Sequence, residues 1–464
     1  IVQAQEYFPT NSGVKTTANT SVAFTNAKIY VTPTQIIKKG TLLVKDGKVV
    51  QVGKNVKIPK GTQIIDVSGK SLYPSFIELY SNFGMKAPQP APRTGRVASR
   101  YDANRKGYYW NDHIRPETNS FNDFTFNTAK AKSLLNAGFG VVNTHLQDGI
   151  IRGNGVLVAL NATSSDAYRI IDTRSAQYLS FNKSRKSIQS YPNSLMGSMA
   201  LLRQVYMDAD WYAKGMATNT DRSLEALNAN KNLVQIFDAG GNNLNSLRAD
   251  KVGDEFGIQY TIVGSGFEYE NIQEIKNSNA SYIVPINFRN AYDVSNPLLA
   301  EQLDLNDMRR WNQEPSNLAT LAKHKVPFSI TTHRLKSMAG FHKNIQKAIK
   351  YGLDERAALE ALTTVPAKIL GKSDEIGTLQ KGSYANFLIT SGAIFDPSTV
   401  IYENWVQGNK NVLKEMHLED VSGEYVLNVN NQKLNLTIAG SAKKPSGTVK
   451  NGTNKLQSKF SFKD

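Results

Sequence analysis

The sequence predicts an α/β protein: a (β/α)8 barrel at residues 74–370, with β-rich segments before and after it. Three observations carry that expectation. Short apolar strand-like runs alternate with helix-period segments over roughly 290 residues, the scale of a (β/α)8 domain with insertions. The chain before Pro74 reads as closely spaced short strands with a hairpin signal at Asp46-Gly47. After residue 370 the β texture returns. Strand–helix alternation calls for right-handed crossovers and a parallel sheet. An open doubly wound sheet is the other architecture the pattern allows, and the missing Gly-rich phosphate turn counts against it.

In chain order, residues 1–20 are polar and read as a flexible leader. Residues 22–31, 41–45, 48–52, 64–67 and 71–73 read as strands of a small meander. Further strands are expected at 140–144, 233–237, 260–263, 282–286 and 327–331, with helices at 128–137, 194–212, 223–230, 242–256 and 271–277. Residues 314–324 and 341–370 read as helical; 376–379, 384–389 and 405–408 read as strands. The region 413–464 carries alternating runs at 424–429 and 433–438 and stops inside a strand-like Phe460-Ser461-Phe462, so the natural polypeptide is expected to continue. The divisions are therefore 1–20, 21–73 with 371–412, 74–370, and 413–464.

Composition narrows the function. With 464 residues, 40% of them apolar, the chain can bury a sizeable core. No apolar run approaches the roughly 20 residues of a membrane helix. The absence of cysteine excludes disulfides, thiolate metal sites and a cysteine nucleophile. The net charge of +16 comes from scattered Lys and Arg, without a basic block or a nucleic-acid motif, so it reads as a cationic solvated surface. Ile1-Val2-Gln3-Ala4-Gln5-Glu6 looks like the end of a secretory signal, and an extracytoplasmic location (periplasm or cell surface) is expected.

Three stretches carry a resemblance. The first is the opening meander with Lys45-Asp46-Gly47-Lys48 and Ile64-Ile65-Asp66-Val67, leading into Pro74-Ser75-Phe76-Ile77-Glu78-Leu79-Tyr80-Ser81-Asn82. The second is Ala357-Ala358-Leu359-Glu360-Ala361-Leu362-Thr363 with Pro366-Ala367, and the third is Ile376-Gly377-Thr378-Leu379 with Gly382-Ser383-Tyr384-Ala385-Asn386. In this order they resemble the amidohydrolase superfamily, whose first barrel strand reads Pro-Gly-(Leu/Phe)-Ile-Asp-x-His-x-His. The resemblance covers residues 20–412. It implies a TIM-like barrel, a composite β-sandwich from residues 21–73 and 371–412, and hydrolysis of C–N bonds by a bound divalent metal.

The resemblance also implies metal ligands, and these positions have changed. Tyr80 and Asn82 stand in place of the two first-strand histidines, and His333 in Thr331-Thr332-His333 replaces the eighth-strand aspartate. No histidine falls at the ends of the fifth and sixth strands, and the carboxylated lysine of the fourth strand has no evident counterpart. A neutral phenol and an amide are poor zinc ligands, and catalytic zinc needs about three protein ligands. No cofactor is expected on this reading. A rival constellation of His145, Asp238, Glu268 and His333 lies near strand ends, where barrel enzymes carry their chemistry; only if it forms an atypical site is zinc expected. Each of the four also has a plainer role: His145 and His333 as satisfied polar groups at a loop start, Asp238 as a turn or helix-cap residue and Glu268 as a rim residue. Residues 84–127 form a long insertion with Tyr109, Trp110, His113 and Arg115, read as a lid or docking surface or as a loop packed on its own barrel.

The functional expectation is an exported amidohydrolase-like protein whose metal site is lost. It would be a non-catalytic half or subunit, with a further module or partner chain carrying the active amidohydrolase. The alternatives are an active hydrolase of amide or cyclic amide bonds with an atypical site, and a binding module for an acidic partner.

Overall fold

The computed structural model describes residues 21–92, 100, 105–416, 421–429, 432–441 and 444–457. The leader and signal-like start, residues 93–99 and 101–104 of the insertion, and the strand-like end at 460–464 lie outside the described residues. The chain divides into two compact units, residues 1–411 and 412–464.

The strands of the first unit are β1 (Ser21–Tyr30), β2 (Ile36–Lys45), β3 (Lys48–Gly53), β4 (Gln63–Asp66), β5 (Ser71–Pro74), β6 (Phe76–Ser81), β7 (Phe139–Thr144), β8 (Ile151–Asn154) and β9 (Val156–Ala159). They continue with β10 (Ile170–Asp172), β11 (Ala176–Ser180), β12 (Val234–Asp238), β13 (Tyr260–Val263), β14 (Ser281–Pro285), β15 (Phe328–Thr331), β16 (Phe387–Thr390), β17 (Ile401–Val406) and β18 (Asn409–Val412). Helices fall where the periodicity places them, among them Thr128–Asn136, Leu195–Ala213, Arg222–Ala229 and Asn243–Glu255. Each of these starts on an Asn, Asp or Ser whose side chain accepts from a first-turn N–H.

Both flanks join one mixed sheet, in the order β18-β17-β16-β5-β1-β2-β3 with β4 beside β1. The β2–β3 hairpin turns at Asp46 and Gly47, with φ of 51° and 73°. Positive φ at both central residues is the signature of the tight two-residue turn expected there. Phe24 of the N-terminal flank packs edge-on against Phe387 and Trp405 of the C-terminal flank, both at 4.9 Å. By its hydrogen bonds this composite β element is one sheet rather than the expected sandwich.

The central strands follow the predicted alternation, with one correction. They form a four-stranded sheet, β10-β9-β7-β6, and a six-stranded sheet, β15-β14-β13-β12-β11-β8, not a closed eight-stranded barrel. β11 to β15 pair in parallel, as do β6 and β7, whereas β8 and β9 pair antiparallel to β11 and β7. Connection length explains this. Only residues 145–150 separate β7 from β8, too few for the helical crossover that a parallel return needs. The run 151–159 gives one half to each sheet and breaks at Gly155, where a Cβ would lie 2.5 Å from the Tyr178 ring. Between β6 and β15 no ladder is present among the described residues. There the Glu78 carboxylate accepts from Thr331 Oγ1 (2.5 Å), Thr332 N (2.7 Å) and Thr332 Oγ1 (2.6 Å).

Two smaller departures concern the C-terminal side. Residues 376–379 are not a strand, because Gly377 turns the chain at φ 82°. The helical stretch 341–370 is three helices, Phe341–Lys350, Glu355–Leu362 and Thr364–Ile369. The second unit is an antiparallel sheet of β19 (Gly423–Val429), β20 (Gln432–Ser441), β21 (Lys444–Asn451) and β22 (Asn454–Leu456). Tyr425, Leu436, Val449 and Leu456 are paired in register across it and so share one face.

Candidate functional site

The strand ends bring six side chains together. Tyr80 lies near the end of β6, His145 follows β7, Arg152 opens the antiparallel β8, Asp238 ends β12, and His333 and Arg334 follow β15. β8 runs against its neighbours, so its first residues lie at the same end as the C-termini of the parallel strands. Alternation along β6 puts Glu78 and Tyr80 on one face, and the Tyr80 N–H donates to Glu78 Oε1 at 3.0 Å.

Asp238 is the hub. Its Oδ2 accepts from Tyr80 Oη at 2.7 Å and from Arg152 Nη2 at 3.4 Å. Its Oδ1 accepts from Gly240 N at 3.0 Å and from Arg334 Nη2 at 3.5 Å. Arg152 Nη1 also donates to Tyr80 Oη at 2.7 Å, and its Nε donates to Gly149 O at 3.2 Å. The Tyr80 ring lies against both imidazoles, 4.9 Å from His145 and 4.7 Å from His333. His145 in turn stacks on Tyr178 of β11 at 3.5 Å and 4°. All except Arg334 and His333 are buried.

Electrostatics follow from burial and this contact set. Burial pushes the Asp238 carboxyl up, but the Arg152 charge and the Tyr80 hydroxyl outweigh it and hold it below the ordinary range. Burial drives the Tyr80 phenol well above its ordinary value, so it stays neutral and donates to Asp238. Burial, with the Arg152 charge next, keeps the His145 imidazole neutral. Burial lowers His333 to about 4. Glu78 is raised by burial against the pull of Thr331 and Thr332.

These residues do not fit the divalent metal that the resemblance implies. Among the described residues no group of three His, Asp or Glu side chains is placed to hold an ion. Arg152 Nη1 sits 2.7 Å from Tyr80 Oη, so an ion bound by that phenol would meet a guanidinium. Asn82 is exposed and outside the cluster, its backbone carbonyl accepting from Met85 N. β11, Ala176–Ser180, which pairs in parallel with β12, contains no lysine.

Of the rival constellation, His145, Asp238 and His333 lie around Tyr80, and Glu268 does not join them. Its carboxylate closes its own turn, accepting from Ser265 N (2.6 Å), Gly266 N (3.2 Å) and Asn317 Nδ2 (2.5 Å). The insertion residues pack inward. Tyr109 is buried and donates to Asp208 Oδ2 at 2.6 Å, and the Trp110 ring stacks on Tyr191. His113 is buried; its Nδ1 accepts from Ser184 N (3.1 Å), which leaves Nε2 to donate to Gln189 O (3.1 Å). Burial lowers this imidazole to about 4. Arg115 Nε donates to Asp112 O at 2.8 Å. A surface cavity of about 590 Å³ lies elsewhere, between Tyr269, Arg309 and Arg310. Arg152 and Arg334, absent from the expected set, are the cations of the cluster. The sequence signal that could have found them is a strand-end aspartate, which needs a counter-charge once buried.

The Amidohydrolase family pattern matches residues 316–451. No curated protein matches the chain. Among solved structures, an amidohydrolase from Thermotoga maritima MSB8 is 22% identical and superposes with a TM-score of 0.64, covering 84% of this chain and 99% of its own. A Xaa-Pro dipeptidase with methionine bound in its active site is 11% identical with a TM-score of 0.50, covering 85% of this chain and 100% of its own. At these identities the structural likeness concerns the fold. The chain thus matches the amidohydrolase family pattern over residues 316–451 and shares the fold of these hydrolases over most of its length.

Proposed function

We propose that this chain is a non-catalytic, amidohydrolase-like half or subunit of a larger assembly, whose hydrolytic centre lies in a further module or partner chain. One observation carries the reading. The buried Arg152 guanidinium bonds Tyr80, which stands at a metal-ligand position of the related hydrolases, and pairs with Asp238. A fixed internal cation balances the carboxylate there. Without converging imidazoles and carboxylates, nothing lowers the pKa of a water molecule towards 7. Export to an extracytoplasmic compartment belongs to the same proposal; fractionation of cells making the natural protein tests it.

Metal analysis of the purified full chain, combined with assays on dipeptides and cyclic amides, tests the central reading. The expected result is far less than one zinc per chain and no hydrolysis. A second reading, an active C–N hydrolase with an atypical site, draws on His145, whose two ring nitrogens are buried without a hydrogen-bond partner among the described residues. Near-stoichiometric zinc that is lost on His333→Ala, together with turnover, would establish that reading and end the first.

A further inference from the structure

We propose that Arg334, with Arg152 and His145, forms a binding site at the strand ends for the carboxylate of a small organic ligand. The inference rests on the reading that a guanidinium, not a metal, balances Asp238.

Charge is the first argument. Among the described residues Asp238 is the one carboxylate that either guanidinium touches. Arginine is charged at any physiological pH, so two cations face one anion at contact range. Glu78 lies nearby but is saturated by donors from residues 80, 331 and 332. Arg152 is committed, with N–H groups on Gly149, Tyr80 and Asp238. Arg334 is not. Among the described residues its one side-chain hydrogen bond is to Asp238 at 3.5 Å, the limit of such a bond, and its side chain is 31% exposed.

Backbone geometry is the second argument, since a half-exposed arginine alone means little. Arg334 is held at φ 64°, a left-handed conformation that non-glycine residues seldom adopt. Its guanidinium rests on Gly241, itself at φ 78°, where a Cβ would lie 2.2 Å from Nη1. Two unusual backbone positions, on separate loops, thus hold one guanidinium over the cluster. Strained residues of this kind concentrate at ligand sites.

His145 supplies the third argument. Both its ring nitrogens are buried and lack partners among the described residues, and an unmet buried polar group is costly. The neutral ring has one N–H to give, and it borders the same phenol that Arg152 bonds. A carboxylate fits this set better than a phosphate. It is planar, matches the guanidinium fork, and carries the single charge that the excess of one cation requires.

Calorimetric titration of the full chain, stripped with chelator, with N-acetylglycine as probe and inorganic phosphate as control, tests the site. Saturable binding of N-acetylglycine is expected, weakened at least about tenfold in Arg334→Met and also in Arg334→Lys, which keeps the charge but loses the fork. His145→Phe, which keeps the stack on Tyr178, should weaken it severalfold. Circular dichroism shows whether each variant is folded. No saturation up to about 10 mM, or affinity unchanged from the parent chain in both folded Arg334 variants, would overturn the site. A chain that binds neither zinc nor N-acetylglycine refutes this inference alone, whereas stoichiometric zinc refutes the reading beneath it.

Discussion

Asp238 and its neighbours stand or fall as a set, because each group satisfies another that water cannot reach. In Tyr80→Phe, Arg152 Nη1 loses its acceptor and Asp238 Oδ2 its shortest donor. Leaving buried polar groups unmet costs about 1–3 kcal/mol, and denaturant unfolding should show a loss of that size. Asp238→Asn is expected to cost more, on the order of 3–5 kcal/mol, since it strips the charge partner from a buried guanidinium. The histidines make a separate prediction. His113 is held neutral, its pKa lowered to about 4 from the ordinary 6.5. Between those values the unfolded chain binds more protons than the folded one, so stability is full above pH 6.5 and is lost as pH falls towards 4. At about 1.4 kcal/mol per pKa unit the loss is roughly 3–3.5 kcal/mol. Denaturant titrations across that range should show a shallower pH slope in His113→Gln, and an unchanged slope would refute the assignment.

The seam between β6 and β15 is the element that departs most from a regular barrel, because a side chain replaces a ladder. Glu78→Gln puts an amide N–H2 against the backbone N–H of either Tyr80 or Thr332, so one of the four bonds must fail even if the threonine hydroxyls turn to accept. A loss of about 2–3 kcal/mol is expected, with faster amide exchange at Tyr80 and Thr332; unchanged exchange would show that the seam does not need the carboxylate. Much else at this scale was legible. The helix caps, the Asp46-Gly47 turn and the strands ending in Asp238 and Val263 are written in local periodicity and turn chemistry. β8 to β11 were not, because Arg152-Gly153-Asn154-Gly155 reads as a glycine loop, and only its pairing partners make it a strand. The site divides the same way. Tyr80, His145, Asp238 and His333 were legible as strand-end residues. Arg152 and Arg334 were not, because each pairs with an aspartate more than 80 residues away and nothing in its local sequence marks that partner. Glu268 looked like a ligand, yet its oxygens are taken up by its own turn, which spacing cannot reveal.

Across the whole first unit, the two flanks of the chain are structurally one piece. β5 is bonded on one edge by β1 and on the other by β16, more than 300 residues later in the chain. Asn404 ties the same region to the central strands: its Oδ1 accepts from Ser75 Oγ at 2.8 Å, and its Nδ2 donates to Leu135 O at 3.1 Å and Phe139 O at 2.9 Å. Phe387 and Trp405 stack on each other and close over Phe24. Truncating a buried aromatic costs about 3–5 kcal/mol, and a domain has only about 5–15 kcal/mol in total. Removing both aromatics, an inner strand and the Asn404 bonds together exceeds that margin. A chain ending at residue 370 should therefore fail to unfold cooperatively, although it retains every strand of the central sheets. One ending at residue 416 keeps the composite sheet entire and should melt within about 2 °C of the full chain. Calorimetry of the two truncations decides it: a sharp transition in the shorter chain would show that the flanks decorate the central sheets rather than hold them.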